Sequence, residues 1–335
     1  MTMRIVVLLD CVGEAGLRFK TSLAKAGFDE HEVAVDLVPD AANQSKIELH
    51  RLIAGAAAIV TPLTLRVDGP LLDAAGPSLK VVANYAVGFD NIDREACAER
   101  EVIVCNGPPP MTEPTADLAW ALILAAVRRL REGLDLTRSG DWKGHEPQML
   151  LGHRLVGRQL MVIGAGRIGG AVARRSIGWE MKVSYTARGP KPHLEAPPIS
   201  AVRTTLEEGL PNADVVVVTT SLNEETRHLI DARALERMKS SAVLVNVSRG
   251  PVVDESALAS ALAERRIFAA GLDVYEHEPR IHPGLVDLPN AILLPHVASA
   301  TVEDRTDLTD ICVANVVAVL SGKKPPHPVD PPHGG

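Results

Sequence analysis

The sequence predicts an α/β protein with a parallel, doubly wound sheet. Short runs rich in Val, Ile and Leu alternate along the chain with helical stretches, and one glycine-rich turn joins such a run to a helix. Most runs are apolar throughout, which is typical of strands buried on both faces of a parallel sheet. Parallel strands need crossover connections, and the helical stretches between the runs supply them.

Four apolar runs in the first third of the chain predict the strands of a first α/β unit. They are RIVVLL (4–9), AAIVT (57–61), LKVVANY (79–85) and VIVCN (102–106). After three prolines, residues 115–136 predict one long helix. Its start is apolar almost all round, as is usual for a helix buried between domains.

A second series of six runs predicts the strands of another α/β unit, with helical segments such as SALASALAERR between them. The runs are QLMVIG (159–164), KVSYTA (182–187), DVVVVTT (214–220), AVLVNVS (242–248), FAAGLDV (268–274) and AILLPH (291–296). Residues 301–322 predict a terminal amphipathic helix that ends at Gly322. The tail after it is rich in Pro and Gly, and we expect it to be poorly ordered.

Composition narrows the class of protein. The chain has 335 residues, enough for two domains, and a net charge of −7 that argues against binding nucleic acid or an anionic membrane. Its first apolar run is too short for a signal peptide, and no window has the length of a membrane span. Four cysteines without metal-type spacing favour a reducing compartment, so we expect a cytoplasmic protein without a metal site; these are Cys11, Cys97, Cys105 and Cys312.

The glycine-rich turn GAGRIG predicts a dinucleotide site because it follows a strand and opens a helix. Gly164 permits the tight turn, Gly166 lets the backbone approach a pyrophosphate, and Gly169 lets helix and strand pack closely. The start of the helix offers free N–H groups and a positive dipole end to the phosphates. The alternative is a turn of the same shape that binds no ligand.

The end of the next strand indicates which dinucleotide is bound. A site for NAD places Asp or Glu there, to accept hydrogen bonds from the ribose hydroxyls. Here the strand ends at Ala187, and Arg188 and Lys191 follow. These cations, with the Thr186 hydroxyl, would bind a 2′-phosphate, so the sequence predicts NADP(H), preferred over NAD(H). Alternatively, Arg188 stacks on the adenine or points to solvent, and the protein uses either cofactor.

Polar side chains follow three later strands of the same predicted sheet. Arg249 comes after one strand, GLDVYEHEP after the next carries acidic residues, and His296 ends the last. Carboxyl ends of parallel strands meet at one edge, where doubly wound sheets bind ligands. Arg can bind a substrate carboxylate, His can protonate a carbonyl oxygen as hydride arrives at carbon, and a Glu can orient the His. Taken singly, each residue could equally be a solvated or structural side chain.

An ordered set of motifs resembles the D-isomer-specific 2-hydroxyacid dehydrogenases, and looks most like their glyoxylate/hydroxypyruvate reductase branch. The motifs extend from about residue 59 to residue 300 and are NYAVGFDNID, TEPTADLAWALILAAVRR, GAGRIGGAVA, ETRHLI, VLVNVSRGPVVDESAL, GLDVYEHEP and LLPHVASAT. The resemblance implies two Rossmann-like domains, with residues 1–106 and 299–335 forming a discontinuous substrate-binding domain and 107–298 a dinucleotide-binding domain. It also implies a homodimer, with the long helix in the interface.

By the same resemblance, Arg249, Glu278 and His296 form the catalytic set, and Glu278, not Glu276, is the acid of the motif. Arg249 and His296 would also contact the substrate, whose carboxylate the Val87 and Gly88 amides bind. Asp273 would contact the nicotinamide carboxamide. The complete implied cofactor set is Gly164, Gly166, Arg167, Ile168, Gly169, Arg188, Lys191, Thr219, Ser221, Val247, Asp273 and Ser299.

The sequence departs from the family pattern away from the catalytic set. Thr219 and Ser221 stand where His and Pro are common, and Pro109 and Pro110 replace a usual Gly–Val. Because none of these departures affects the catalytic set, they bear on which substrate is bound and not on the type of reaction. The predicted function is NADPH-dependent reduction of glyoxylate, hydroxypyruvate or a similarly short 2-oxo acid to the D-2-hydroxy acid. The alternatives are an NAD-dependent dehydrogenase of another D-2-hydroxy acid and a nicotinamide-sensing regulatory protein on the same fold.

Overall fold

A computed structural model describes residues 3–9, 15–29, 33–107 and 111–331. Cys11, Pro109 and Pro110 lie outside these ranges. The chain divides into two compact units. Unit 1 comprises Met1–Met111 and Ser299–Gly335, and unit 2 comprises Thr112–Ala298. The division of substrate and nucleotide binding between two such regions stays a prediction.

Unit 1 contains a five-stranded parallel sheet in the order β2-β1-β3-β4-β5. Its strands are β1 Met3–Val7, β2 Val33–Leu37, β3 Ala58–Thr61, β4 Val81–Asn84 and β5 Ile103–Cys105. Four of them confirm the predicted runs, whereas β2 was not predicted. Its helices are α1 Ala15–Lys25, α2 Lys46–Ile53, α3 Gly69–Ala75, α4 Arg94–Glu99 and the terminal helix α13 Val302–Leu320, with a 3₁₀ turn at Ala41–Asn43.

Both faces of this sheet are covered, which confirms a doubly wound arrangement. Helices α1 and α13 cover one face through residues such as Phe19 and Val316, and α2, α3 and α4 cover the other. The buried positions of α13 recur every three to four residues, as expected of an amphipathic helix. The first segment of unit 1 therefore completes its core with a helix from the far end of the chain.

Unit 2 contains a seven-stranded parallel sheet in the order β12-β11-β10-β9-β6-β7-β8. The strands are β6 Gln159–Ile163, β7 Lys182–Thr186, β8 Val202–Arg203, β9 Val215–Val218, β10 Val243–Asn246, β11 Ala269–Leu272 and β12 Ala291–Leu293. Six confirm the predicted runs, and only the two-residue β8 was not predicted. The strand order reverses between β6 and β9, and such a switch point opens a ligand crevice beyond the carboxyl ends of the strands.

Helices cover both faces of this sheet as well. The helices are α5 Thr112–Val127, α6 Leu130–Ser139, α7 Arg167–Arg175, α8 Pro192–Glu195, α9 Leu206–Gly209, α10 Ala232–Arg237, α11 Glu255–Ala263 and α12 Pro283–Val286. Short 3₁₀ turns lie at Ser176–Trp179, Leu210–Asn212 and Gly250–Val252. Helices α5 and α7 pack on one face, and α10 to α12 pack on the other. None of the described helices has the length and apolarity that crossing a membrane would require.

The prediction of one helix over residues 115–136 was wrong. Helix α5 ends at Val127, and α6 begins at Leu130 after Arg129, whose φ of 53° lies in the left-handed region. Helix α5 is buried against the sheet, whereas α6 has no buried residue. The break lets the chain leave the sheet, and the Arg129 guanidinium donates two hydrogen bonds of 2.7 Å to Glu132 in the first turn of α6.

The expectation of a poorly ordered tail was wrong for residues 327–329. The Val329 N–H donates to the Val104 carbonyl at 2.8 Å, and the Asn106 N–H donates to the His327 carbonyl at 3.2 Å. The His327 N–H in turn donates to the buried Asn315 side chain of α13. Strand β5 lies at the edge of its sheet, so its open backbone groups give the tail partners that composition alone does not reveal.

Candidate active site

The turn between β6 and α7 depends on two of its glycines. Gly164 has φ 95°, and a Cβ there would lie 2.6 Å from the Thr220 backbone. At Gly169 a Cβ would lie 2.4 Å from the Gly164 carbonyl oxygen and 2.8 Å from a Val162 methyl group. Close packing of turn, strand and helix therefore excludes a side chain at both positions.

Gly166 differs, because a Cβ there would meet nothing within 4 Å. It is the N-cap residue of α7 and is exposed, with Arg167 exposed and Ile168 partly exposed in the first turn behind it. The protein itself leaves this space open, at the end of a helix where backbone N–H groups attract phosphate. The turn thus fits the pyrophosphate of a dinucleotide.

The loop that follows β7, residues 187–191, carries cations and no carboxylate. We call it the β7 loop. Arg188 is exposed and Lys191 is partly exposed. The Thr186 hydroxyl accepts a hydrogen bond of 3.3 Å from the Gly164 N–H, so the β7 end and the glycine turn are in direct contact.

Three further predicted cofactor residues follow β9 and β10. The Thr219 hydroxyl donates to the Gly164 carbonyl at 2.8 Å, so Thr219 joins the glycine turn. Ser221 is exposed, and its carbonyl accepts a hydrogen bond from Thr226. Val247 is 6% exposed and packs in the core, at the carboxyl end of β10. Contact of these residues with a nicotinamide stays a prediction.

His296 and Glu278 form a hydrogen-bonded pair at the carboxyl edge of the same sheet. His296 Nδ1 lies 2.8 Å from Glu278 Oε2, and both side chains are about 30% exposed. The second oxygen of Glu278 accepts from the Tyr275 N–H at 3.0 Å. The acid therefore has a defined orientation, and it contacts only one of the two ring nitrogens.

The charge of Glu278 is supported by its surroundings. Burial alone would raise the pKa of this carboxyl, but the hydrogen bond and charge of His296, the Tyr275 N–H and the charge of Arg249 together lower it. Glu278 therefore stays ionised at neutral pH and below. An ionised acid beside Nδ1 favours a proton on that nitrogen and leaves Nε2 for chemistry.

Arg249 completes this group from the loop after β10. Its guanidinium donates to the Ser248 carbonyl at 2.8 Å and is close enough to affect the ionisation of Glu278. The structure thus brings together all three residues predicted to be catalytic, from the loops after β10, β11 and β12. A cation, an acid and an imidazole at one sheet edge can bind a carboxylate and transfer a proton to an adjacent carbonyl oxygen.

Asp273 is completely buried at the end of β11. Its two oxygens accept hydrogen bonds of 2.8 Å from the N–H groups of Val297 and Ala298. Burial raises the pKa of this carboxyl, although these two hydrogen bonds oppose the rise. Asp273 therefore positions the segment that follows His296. Its predicted contact with a nicotinamide stays a prediction, and its carboxylate is closed to solvent here.

Glu276 belongs to a different pair. It lies 3.0 Å from Nε2 of His228, and its other oxygen accepts from the Glu255 N–H at the start of α11. The resemblance implies Glu278, not Glu276, as the acid of the motif, and of these two carboxylates it is Glu278 that lies beside His296. In the described part of the chain, no group of three or more His, Cys, Asp or Glu side chains could coordinate a metal.

Gly250 is a site residue that sequence reasoning did not single out. A Cβ there would lie 1.8 Å from the Tyr275 carbonyl carbon and 2.4 Å from the Glu276 N. The backbone after Arg249 therefore touches the backbone that leads to Glu278. The only sequence signal for this contact is the glycine directly after the arginine.

Replacing Gly250 with alanine should lower the free energy of unfolding by about 1–3 kcal/mol, because the methyl group must displace backbone. The matched control is Gly178→Ala, where a Cβ meets nothing within 4 Å and φ is not positive. Urea denaturation of both variants measures the difference. Equal stability of the two variants would show that the Gly250 contact can relax without cost.

Unit 1 contains the other two predicted substrate residues, in the loop after β4. The Val87 carbonyl accepts from Asn106 at 2.7 Å, and the Gly88 carbonyl accepts from Asn84 at 2.7 Å. Asn84 and Asn91 are buried and donate to each other's side-chain oxygens at 3.0 and 3.2 Å. Asn84 and Asn106 thus bind the loop by its carbonyl groups. Across the described ranges, the Val87 and Gly88 N–H groups have no acceptor, so they are available to an anion.

Ser299, the last predicted cofactor residue, is the first residue of the returning segment of unit 1 and is partly exposed. It follows Ala298, whose N–H binds Asp273.

Comparison with known proteins decides the family. Residues 120–298 match the model described as "D-isomer specific 2-hydroxyacid dehydrogenase, NAD binding domain". The chain belongs to this family. It is similar to the glyoxylate reductase of Thermococcus gammatolerans, with 46% identity over 273 residues, which cover 80% of this chain and 81% of the relative.

Solved structures are similar to this chain along nearly its whole length. A protein of Thermus thermophilus is 40% identical, with a TM-score of 0.88 over 98% of this chain and 100% of the other. The NADPH-dependent glyoxylate/hydroxypyruvate reductase of Sinorhizobium meliloti, solved with NADP and malonate, is 32% identical, with a TM-score of 0.80 over 98% and 97% of the two chains. The protein is therefore an NAD(P)-dependent 2-hydroxyacid dehydrogenase that is similar to glyoxylate reductases, as its motifs predicted.

Proposed function

We propose that this dehydrogenase reduces a short 2-oxo acid, such as glyoxylate or hydroxypyruvate, to the D-2-hydroxy acid, with NADPH preferred over NADH. The observation that carries the proposal is the contact of His296 with Glu278, close to Arg249, on the sheet that carries the glycine turn. The names of the relatives from Thermococcus and Sinorhizobium support the substrate class.

The three side chains would divide the work as follows. Arg249 binds the substrate carboxylate and polarises the neighbouring carbonyl group. When bound, the reduced nicotinamide supplies a hydride to the carbonyl carbon. His296 donates its Nε2 proton to the carbonyl oxygen, which becomes the hydroxyl of the product. Glu278 accepts the Nδ1 hydrogen bond throughout, so the neutral imidazole left behind keeps one tautomer.

We also propose that the free amides of Val87 and Gly88 bind the substrate carboxylate. The side chains of Asn106 and Asn84 donate to the carbonyl groups of Val87 and Gly88. These bonds fix the backbone of the loop, which supports a role for its N–H groups in binding a ligand. Unit 1 would accordingly bind substrate and unit 2 the dinucleotide, through the set of residues predicted from sequence.

The proposed preference for NADPH rests on the β7 loop. Ala187 offers no carboxylate to repel a 2′-phosphate, while Arg188 and Lys191 offer positive charge. Replacing Arg188 with alanine should raise the Kd for NADPH by about 10- to 100-fold, since charge-assisted hydrogen bonds to the phosphate are lost. Fluorescence titration with NADPH and NADH measures both constants.

NADH serves as the internal control for Arg188→Ala, because it lacks the phosphate and its Kd should change little. Arg227→Ala is the matched control variant, since Arg227 is an exposed arginine in a loop at the same edge of the sheet. An unchanged NADPH Kd would remove Arg188 from the 2′-phosphate site. An NADH preference in the unaltered enzyme would contradict the cofactor proposal as a whole.

Turnover of a panel of 2-oxo acids with both cofactors tests the substrate. We expect the highest kcat/KM with glyoxylate or hydroxypyruvate and NADPH. A preference for a larger 2-oxo acid with NADH would favour the alternative NAD-dependent dehydrogenase. The absence of turnover with any member of the panel would favour a nicotinamide-sensing regulatory protein.

We further propose that the protein acts as a homodimer in the cytoplasm. Helix α6 exposes two leucines one turn apart, Leu130 and Leu134, which are 49% and 52% exposed. An apolar stripe of this kind is suited to an interface between subunits. Sedimentation of the purified protein, with Leu134→Lys as the variant, tests the dimer.

A further inference from the structure

We propose that Arg203 is a positioning residue for cofactor choice, which binds the backbone of the β7 loop and so directs Arg188 to the 2′-phosphate. The inference rests on the proposed preference for NADPH. Arg203 lies on β8, the edge strand of the unit 2 sheet, opposite Tyr185 of β7. No sequence motif singles it out.

The guanidinium of Arg203 donates to two successive carbonyl groups of the β7 loop. Its Nε lies 3.2 Å from the Ala187 oxygen, and its Nη2 lies 3.1 Å from the Arg188 oxygen. Successive residues of an extended strand face opposite ways, so one planar group can reach both oxygens only where the chain bends. Arg203 therefore stabilises the bend by which the chain leaves β7 at the residue that carries the predicted phosphate ligand.

The other end of the loop is fixed by a buried side chain. The Tyr185 hydroxyl accepts from the Lys191 N–H at 2.7 Å and donates to the Glu195 carboxylate. Tyr185 itself is fully buried. The five residues of the β7 loop are thus bound at one end by Arg203 of β8 and at the other by Tyr185 of β7. A loop held in this way loses less conformational entropy when it binds a ligand.

Charge supports the same assignment. In the part of the chain that the structure describes, none of the side chains of Arg188, Lys191 and Arg203 forms an ion pair. Glu195, the nearest acid along the chain after Lys191, is bonded to Tyr185. Three cations on and beside this short loop outnumber the one Glu195 carboxylate, which also accepts from the Lys191 N–H at 3.3 Å, so the net charge of the loop and its surroundings is positive. A doubly charged phosphate is suited to this positive charge, whereas the ribose hydroxyls of NADH gain little from it.

The test measures binding, not turnover. Kd values for NADPH, NADH and 2′,5′-ADP are determined by titration for the unaltered enzyme and for Arg203→Met, Arg203→Lys, Arg188→Ala and the double variant Arg188→Ala/Arg203→Met. Arg203→Met should raise the Kd for NADPH and 2′,5′-ADP by about tenfold and leave the NADH value within a few-fold. Arg203→Lys retains the charge but not the planar pair of donors, so it should restore only part of the affinity.

The double variant separates positioning from direct contact. If Arg203 acts through Arg188, Arg203→Met should add little once Arg188 is alanine, because residues that act together are not additive. Three results would each overturn the inference. They are additive effects of the two substitutions on the NADPH Kd, a normal NADPH Kd in Arg203→Lys, and a loss of NADH affinity in Arg203→Met as large as its loss of NADPH affinity. The unaltered enzyme could prefer NADPH strongly, lose that preference in Arg188→Ala and keep it in Arg203→Met. That result would overturn the inference about Arg203 and leave the proposed function standing. An NADH preference in the unaltered enzyme would instead overturn the proposed function.

Discussion

Replacing His296 with alanine is expected to lower kcat by about 10²- to 10⁴-fold, the usual contribution of a positioned general acid. The Nδ1 of His296 is bonded to the ionised Glu278, so Nε2 is the nitrogen that can give a proton to the substrate oxygen. Without it, water must protonate the forming alkoxide. The Kd for NADPH should remain close to normal, because in the proposed mechanism the imidazole acts on the substrate. Steady-state kinetics and cofactor titration measure the two quantities.

His228 provides a matched control for that variant. It forms the same type of pair, with Glu276 at 3.0 Å, and is also partly exposed, but it lies on the loop after β9. His228→Ala should therefore keep kcat within a few-fold of the unaltered enzyme. Near-normal turnover of His296→Ala, or an equal loss in both variants, would remove His296 as the proton donor.

Replacing Arg249 with lysine is expected to lower kcat/KM by about 10- to 100-fold, since one of the two proposed charge-assisted hydrogen bonds to the carboxylate, at roughly 1.5–3 kcal/mol, is lost. Lysine retains the positive charge but cannot offer two parallel donors to a carboxylate. Both KM and kcat should change, because in the proposed mechanism the same group binds the substrate and polarises its carbonyl. Initial rates over a range of glyoxylate concentrations measure both.

Arg227→Lys is the control for this exchange, because Arg227 is an exposed arginine of the loop after β9. Its kcat/KM should stay near that of the unaltered enzyme. The Kd for NADPH should be unaffected in both variants. An unchanged kcat/KM in Arg249→Lys would mean that positive charge alone is sufficient, and that substrate binding does not need a bidentate contact.

The sheets were largely predictable because their strands are buried on both faces and so read as continuous apolar runs. The two strands that were missed lack this property. Val33–Leu37 contains Asp36 and is only partly buried, and Val202–Arg203 is a two-residue edge strand with both side chains exposed. At such positions, backbone pairing with a neighbour decides the structure, and a local pattern carries little of that information.

The break at Arg129 could not be predicted for a related reason. Residues on either side of it have high helix propensity, so a continuous helix is the local expectation. The break occurs where burial against the sheet ends and the exposed α6 begins. Tertiary packing overrides propensity there.

The parts of the candidate site that lie at strand ends were predictable from the sequence. The parts that depend on contacts with the backbone of a distant segment were not. Arg249 and His296 were indicated by their positions at strand ends, and the family resemblance selected Glu278 among the acidic residues that follow the strand between them. The close approach of Gly250 to Tyr275 and the two donors of Arg203 join segments distant in the sequence. Their residue types, glycine after arginine and arginine on an edge strand, are too common to indicate such contacts.

The return of α13 to unit 1 has a consequence for folding during synthesis. The hydrophobic core of unit 1 includes Leu308, Val313 and Val316, which leave the ribosome after nearly the whole chain. Unit 2 is contiguous from Thr112 to Ala298 and can close its core while α13 is still being made. Although domains generally fold in order from the N-terminus, here the domain that starts first must finish last. Until then the part of the apolar sheet face that α13 covers stays open to solvent.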